Sequence, residues 1–210
     1  MDFNFFLTHI SQLKKLPLGG LTSQVKMAPE IRRNYSLENI ENKNPKESAV
    51  LAMFYPDINN ETKILLMLRA SYNGVHSAQI SFPGGKKETH DANLQFTALR
   101  ETEEEIGVLK TDITIIRELT KTYIPPSNFW VTPFIGILAK TPVFKTNTEV
   151  EKLIEVSLAD ILDENSLSSK NLTTSYMQNI DVPCFKLNNY IVWGATAMML
   201  SEIKDLLKLI

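Results

Sequence analysis

Apolar residues fall in two rhythms along the chain. Phe3, Phe6, Leu7, Ile10 and Leu13 recur at helical spacing with polar residues between them, predicting an amphipathic helix over residues 2–15. Pro17 and Gly19-Gly20 end it. From there to Ser48 the pattern is weak and polar, and residues 38–46 read as a surface loop. Residues 49–55 and 63–69 are short apolar runs separated by Pro56-Asp57-Ile58-Asn59-Asn60, the signature of a hairpin with buried strands. A short strand over 79–82 stops at Pro83-Gly84-Gly85. A helix follows over 92–106, with Asp91 as its N-cap and Gly107 just past its end. Residues 113–119, 132–138 and 152–156 read as strands, 158–162 as a short helix, and 196–207 as the closing helix. Residues 182–187 and 190–193 form a hairpin around Asn188-Asn189. Several strands mixed with a few helices place the chain in the α/β or α+β class.

Size and charge narrow the function. The 210 residues are enough for one domain, or one domain with an added arm, and residues 1–47 read as that arm. Hydrophobic residues at 43% and charged residues at 22% are those of an ordinary globular chain. A net charge of −2 argues against broad binding to duplex nucleic acid, which wants a basic face. With Cys184 the only cysteine, no intrachain disulfide or cysteine zinc site forms, and a reducing, cytoplasmic setting is expected. The N-terminus lacks the basic segment and apolar run of a signal peptide, and no apolar stretch is long enough to span a membrane.

The chemistry concentrates in Arg100-Glu101-Thr102-Glu103-Glu104-Glu105-Ile106-Gly107-Val108. On a helix, Glu101, Glu104 and Glu105 share one face, while Ala92, Phe96, Leu99 and Ile106 are expected opposite, toward the core. Taken alone, a run of glutamates reads as a solvated acidic face. Yet like charges one turn apart destabilise a helix, and acids near its C-terminus oppose its dipole. A hard divalent cation reverses both penalties. Two glycines just upstream, Gly84 and Gly85, allow a close backbone approach to a ligand or metal.

These residues resemble the Nudix box, whose second half reads Arg-Glu-U-x-Glu-Glu-x-Gly-U with U a bulky aliphatic residue; Thr102 departs mildly at a U position. Residues 86–99 separate Gly85 from Arg100, one residue more than the box has, and Asp91 stands where its first Glu would be. The extra residue resembles the coenzyme A diphosphatases of that family. So do Leu65-Leu66-Met67-Leu68-Arg69-Ala70, Phe82-Pro83-Gly84-Gly85 and the later Trp193-Gly194-Ala195-Thr196-Ala197. Met67, Gly74 and Ala78 depart from that subfamily's signature, and the last two leave room for another substrate.

The resemblance implies an α/β/α sandwich with a mixed sheet over residues 48–210, with the N-terminal helix added to it. It implies hydrolysis of the pyrophosphate of coenzyme A or its thioesters. Alternatives are ADP-ribose, NADH or a dinucleoside polyphosphate, or a nucleotide-sensing domain without activity. It also implies Mg²⁺ or Mn²⁺ held by Glu101, Glu104 and Glu105 with the Gly85 carbonyl, and Arg100 orienting these carboxylates. Glu149, Glu151 or Glu105 itself is the candidate base, and Arg69, Lys86 and Lys87 are candidate phosphate contacts. The partner is a small nucleotide, with no nucleic acid and no membrane; a homodimer stays open. His76 and His90 read as loop histidines, and Trp193 and Cys184 as core. Phe129, Trp130 and Tyr123 read first as packing residues and second as a stack for adenine.

Overall fold

A computed structural model describes residues 1–30, 37–70, 79–174 and 177–210. Its centre is a mixed sheet. β1 (Lys46–Pro56) runs parallel to β7 (Phe129–Leu138) and antiparallel to β2 (Thr62–Arg69) and β4 (Gly84–Lys86). β2 also pairs with β3 (Ile80–Ser81) and β8 (Val150–Ser157), and β7 pairs with β5 (Ile113–Glu118) and β6 (Thr122–Ile124). A second, antiparallel sheet holds β9 (Leu167–Thr174), β10 (Met177–Leu187) and β11 (Tyr190–Trp193).

β1 is an unbroken apolar run because both of its faces are covered. Ala49, Leu51, Met53 and Tyr55 point into one cluster, shared with Ala98 and Ile106 of α5 (Leu94–Ile106). Ala52 and Phe54 point into the other, shared with Val192 of β11 and with Leu200 and Ile203 of α7 (Gly194–Leu207). The sheet thus lies between α5 on one side and α7 with the small sheet on the other, which is the expected sandwich. The hairpin at Asn188-Asn189 has positive φ at both residues, 48° and 66°, as a two-residue turn matched to strand twist requires.

The N-terminal arm is less uniform than its pattern predicts. Its helix is split into α1 (Phe3–Thr8) and α2 (Ile10–Leu13). The Phe5 carbonyl accepts from the Thr8 hydroxyl at 2.7 Å and lies 2.9 Å from His9 Nδ1, so the His9 amide turns to Phe6 O instead. Phe3, Phe6 and Leu13 are buried in the α7-side cluster. The weakly patterned stretch after Gly20 is not simply loop: it contains α3 (Gly20–Val25) and α4 (Leu37–Glu41). Polar residues mask the burial of α3, because Gln24 is fully enclosed with its hydrogen bonds satisfied. Its amide donates to Thr120 O at 2.8 Å and to Glu202 of α7 at 3.0 Å, and accepts from Thr122 at 3.0 Å.

Other differences have local causes. β4, β6, β9 and the first half of β10 lack an apolar run long enough to mark them. The last two are largely solvent-facing, so no apolar side is needed there. α6 (Leu158–Leu162) is capped by the Ser157 hydroxyl, which accepts from Asp160 N. Among the described residues, no helix is long and apolar enough to cross a membrane.

Glu202 joins the arm to α7. It is fully buried and accepts from Gly20 N at 3.0 Å, Gln24 Nε2 at 3.0 Å and Thr120 Oγ1 at 2.7 Å. A buried donor stripped of its partner costs about 1–3 kcal/mol. Glu202→Ala orphans these donors and is expected to destabilise the fold by about 3 kcal/mol or more in urea unfolding. A loss below about 1 kcal/mol would show that the arm is not held this way.

Candidate active site

Two glycines let one short strand fit closely against both β1 and α5. Gly84 has φ +147°, and a Cβ there would come within 2.6 Å of Val50 Cα and would meet Ala49 O. A Cβ on Gly85 would overlap the Glu101 carboxylate. The chain therefore does not stop at Pro83-Gly84-Gly85, where the sequence pattern ends a strand. Gly84–Lys86 continues as β4, paired to Ser48, Ala49 and Val50. From β4 the Gly84 amide donates to Glu105 Oε2 at 2.7 Å.

The three glutamates are not equivalent. Glu105 is 1% exposed and lies on the inward face of α5 with Ala98, Thr102 and Ile106. Glu101 is half-buried at the edge of that face, and Glu104 points outward. This corrects the expected division into a carboxylate side and an apolar side. Ala92 is exposed and precedes the helix, Phe96 and Leu99 are half-buried, and Glu105 shares the buried face with Ile106. Burial pushes the Glu105 carboxyl up to about 8, outweighing the Gly84 amide and the Arg69 charge that favour its ionised form. Burial also raises Glu101, against the pull of Arg100.

Arg100 is the hub. It is 8% exposed, and its Nε and Nη2 donate to the two oxygens of Asp91 at 2.9 and 3.0 Å. Nη2 also donates to Lys86 O at 3.1 Å and lies 3.1 Å from Glu101; Nη1 donates to Glu104 at 3.0 Å. Asp91 is itself buried and accepts from Thr97 Oγ1 and Glu88 N, both at 2.9 Å. The hydrogen bonds from Arg100 hold its carboxyl well below the usual carboxylate range. Asp91 is thus not the helix cap expected of it. That cap is Asn93, whose side chain accepts from Phe96 N at 2.8 Å. The signal for its actual place was its position where the box has a glutamate. Gly107 ends α5 in the left-handed conformation, at φ 73°, as its placement predicts.

Arg69, at the end of β2, spans two acids: Nη1 reaches Glu105 at 3.3 Å and Nη2 reaches Glu149 at 3.4 Å. The Glu149 loop is fixed at both sides, because Ala70 N donates to Glu149 O at 2.8 Å and Asn147 N to Glu105 O at 3.1 Å. Glu151 is exposed on β8. Lys87 pairs with Glu47 at 2.9 Å, and His90 lies 3.4 Å from Glu88. Gly74, His76 and Ala78 lie outside the described residues.

A cavity of about 240 Å³ opens behind Gly84 and Gly85, with Arg69 and Lys86 in its lining. Trp193, Thr196 and Met199 form part of its wall, so Trp193 is more than the core residue its sequence indicates. Phe129 lines it too, whereas the Tyr123 and Trp130 rings pack against each other, tilted, with centroids 5.4 Å apart. Cys184 is fully buried, as expected.

The donor set suits a hard cation. Glu101, Glu105 and the Gly85 carbonyl are oxygen donors on two facing elements. Among the described residues, no three acidic, histidine or cysteine side chains converge on one point. The carboxylates are instead drawn to Arg69 and Arg100.

Comparison with known proteins bears on this arrangement. A family model described as NUDIX domain matches residues 48–174. Nudix hydrolase 22, chloroplastic, of Arabidopsis thaliana is 30% identical over 162 residues, 74% of this chain. The chain spans about half the length of that relative, 53%. An uncharacterized Nudix hydrolase, NudL, of Yersinia pestis is 31% identical over 146 residues, covering 68% of this chain and 71% of that protein. Among solved structures, the Nudix hydrolase RenU of M. smegmatis superposes with a TM-score of 0.55 at 16% identity, over 79% of this chain and 88% of that one. A MutT/nudix family protein from Enterococcus faecalis gives 0.50 at 12% identity, over 84% and 71%. At such identities these two structures show a shared fold.

The raised Glu105 carboxyl makes a signed prediction. Between its ordinary value of 4.5 and about 8, the folded state holds a proton that the unfolded chain has released. Stability in chelator should therefore fall as pH rises from about 5 to 8, and Glu105→Gln should remove most of that slope in melting temperature. Asp91 acts oppositely and lower, losing its contribution as pH falls below its ordinary value of 3.8. A pH–melting profile that Glu105→Gln leaves unchanged would contradict the burial assigned to this carboxyl.

Proposed function

The chain belongs to the Nudix family, and from that premise we propose that it hydrolyses the pyrophosphate of coenzyme A or its thioesters, giving 3′,5′-ADP and 4′-phosphopantetheine or its acyl form. The observation that carries the hydrolase reading is the β4 backbone laid against Glu101 and Glu105 of α5, joined by the 2.7 Å bond from Gly84 to Glu105. Support for coenzyme A comes from the sequence: Leu65 to Ala70, Phe82 to Gly85, and the extra residue between Gly85 and Arg100. The catalytic unit is residues 48–210, with residues 1–47 as an added arm.

Mg²⁺ or Mn²⁺, when bound, supplies positive charge to the phosphoryl oxygens and makes water a better nucleophile at neutral pH. Glu101, Glu104, Glu105 and the Gly85 carbonyl would hold it. Arg100 positions Glu101 and Glu104 through charge-assisted hydrogen bonds, and is itself fixed by Asp91 and Lys86 O. Arg69 and Lys86 bind the pyrophosphate oxygens. A proton from the attacking water goes to Glu149 or to Glu105, which Arg69 keeps on either side of one guanidinium.

The second reading, cleavage of ADP-ribose, NADH or a dinucleoside polyphosphate, is favoured by Gly74 and Ala78, which replace the Arg and Gly of the coenzyme A signature. A sensing domain without activity fits less well, because Arg100 and all three glutamates are present.

Incubation with coenzyme A, ADP-ribose or NADH in Mg²⁺, followed by chromatography, tests the substrate. Release of 3′,5′-ADP is expected to be at least about tenfold faster than cleavage of the other two. Intact coenzyme A beside fast cleavage of ADP-ribose would overturn the substrate and keep the family. Glu105→Gln is expected to lower kcat by about a thousandfold or more, roughly 4 kcal/mol of transition-state stabilisation, without loss of fold. Activity within about tenfold of wild type would remove Glu105 from the machinery.

A further inference from the structure

We infer that the cavity behind Gly84 and Gly85 seats the linear, weakly polar arm of the substrate rather than its base, and that Ala195 sets how much of that arm enters. The identity of the arm as pantetheine rests on the proposed function; the shape and chemistry of the cavity do not.

Position comes first. The cavity begins at Gly84 and Gly85, where the proposed pyrophosphate would lie, and is walled beyond them by Ala195, Thr196 and Met199 of α7. A group joined to that pyrophosphate would run into it. Size comes second. About 240 Å³ is smaller than the roughly 300–1,000 Å³ of pockets that enclose a whole ligand, so the cavity takes one half of a substrate.

Chemistry then decides which half. Val50, Ile80, Phe82, Val131 and Met199 make its walls largely apolar, and its charged lining residues are Arg69 and Lys86, both cations. Among the described residues, no carboxylate lines it. A ribose diol or an adenine amino group donates hydrogen bonds, and acidic side chains are the usual acceptors for a ribose. A chain of methylenes and amides asks for the opposite, an apolar tube with an occasional polar partner. Ser48, Ser81 and Thr196 are also in this lining and give it a few hydroxyl groups among the apolar walls.

The first turn of α7 supplies the gate. Nothing lies within 4 Å of where a Gly194 Cβ would stand, and the neighbouring Ala195 is half-buried on the cavity wall. Ala195 packs against the core on one side and lines the cavity on the other, so a larger side chain at 195 takes its extra volume from the cavity.

Pantetheine and 3′,5′-ADP, each alone, serve as probes in saturation-transfer NMR with wild type and with Ala195→Phe. Pantetheine is expected to receive saturation from wild type and to lose it with Ala195→Phe, while 3′,5′-ADP is unaffected. For coenzyme A, Ala195→Phe is expected to raise KM at least about tenfold with kcat within about threefold. Ala195→Val, with an unchanged melting temperature and an intermediate KM, separates filling from misfolding. Loss of the adenine signal with retention of the pantetheine signal in Ala195→Phe would overturn the inference. So would a KM and both signals left as in wild type. Should coenzyme A stay intact while pantetheine binding depends on residue 195, the cavity assignment stands and the substrate proposed above falls.

Discussion

Arg100 is the constraint around which the site is arranged. One guanidinium gathers Asp91, Glu101 and Glu104 together with the Lys86 carbonyl, so it ties the strap after β4, β4 itself and α5 to one point. A buried cation is tolerable only when its donors are met, and here Asp91 matches two of them side by side. A lysine would supply the charge without that fork. The strap fixed by Asp91 determines where β4 lies, β4 determines where the Gly84 amide points, and that amide holds Glu105. The carboxylate least suited to burial is therefore positioned through a chain of contacts that begins at the arginine.

The parts of the fold legible in the sequence are those whose burial is written in apolar side chains. β1 and β2, covered on both faces, read as continuous apolar runs. The Asn188-Asn189 turn announced itself through residues that tolerate positive φ. What stayed hidden is polar. Gln24 and Glu202 are among the most buried residues of the chain, yet no periodicity marks them, because hydrogen bonds rather than transfer from water justify their burial. β4 is invisible for a different reason: a glycine-rich strand has no side chains with which to state its faces.

The site was legible as a set of residues and not as an arrangement. The spacing of Arg100, Glu101, Glu104 and Glu105 placed them on one helix. It could not show that Glu105 turns inward and Glu104 outward, since that depends on which flank of α5 meets β1 and β4. The role of Asp91 was open to two readings, helix cap or counterpart of the box glutamate. Only the packing of Arg100 against the strap separates them. Trp193 likewise reads as core from its type, and becomes cavity wall because α7 begins beside β3, where Thr196 donates to Ile80 O at 2.9 Å.

Local rules are broken most where function is proposed, and the breaks are offset from a distance. Glu105 is a buried acid whose own surroundings favour its neutral form. A fold optimised for stability alone would place an apolar residue there, as it does at Ile106 next to it. The cost is absorbed by two apolar clusters on either face of the sheet. The N-terminal arm then holds α7 against the rest of the domain through Glu202, on the same helix whose first turn borders the cavity. Arm and cavity are thus mechanically joined: the contacts that keep α7 in place also keep Ala195 and Met199 on the cavity wall. Residues 20–24 and the cavity therefore share one helix, which Glu202 ties to Gly20 and Gln24 and which Ala195 and Met199 present to the cavity.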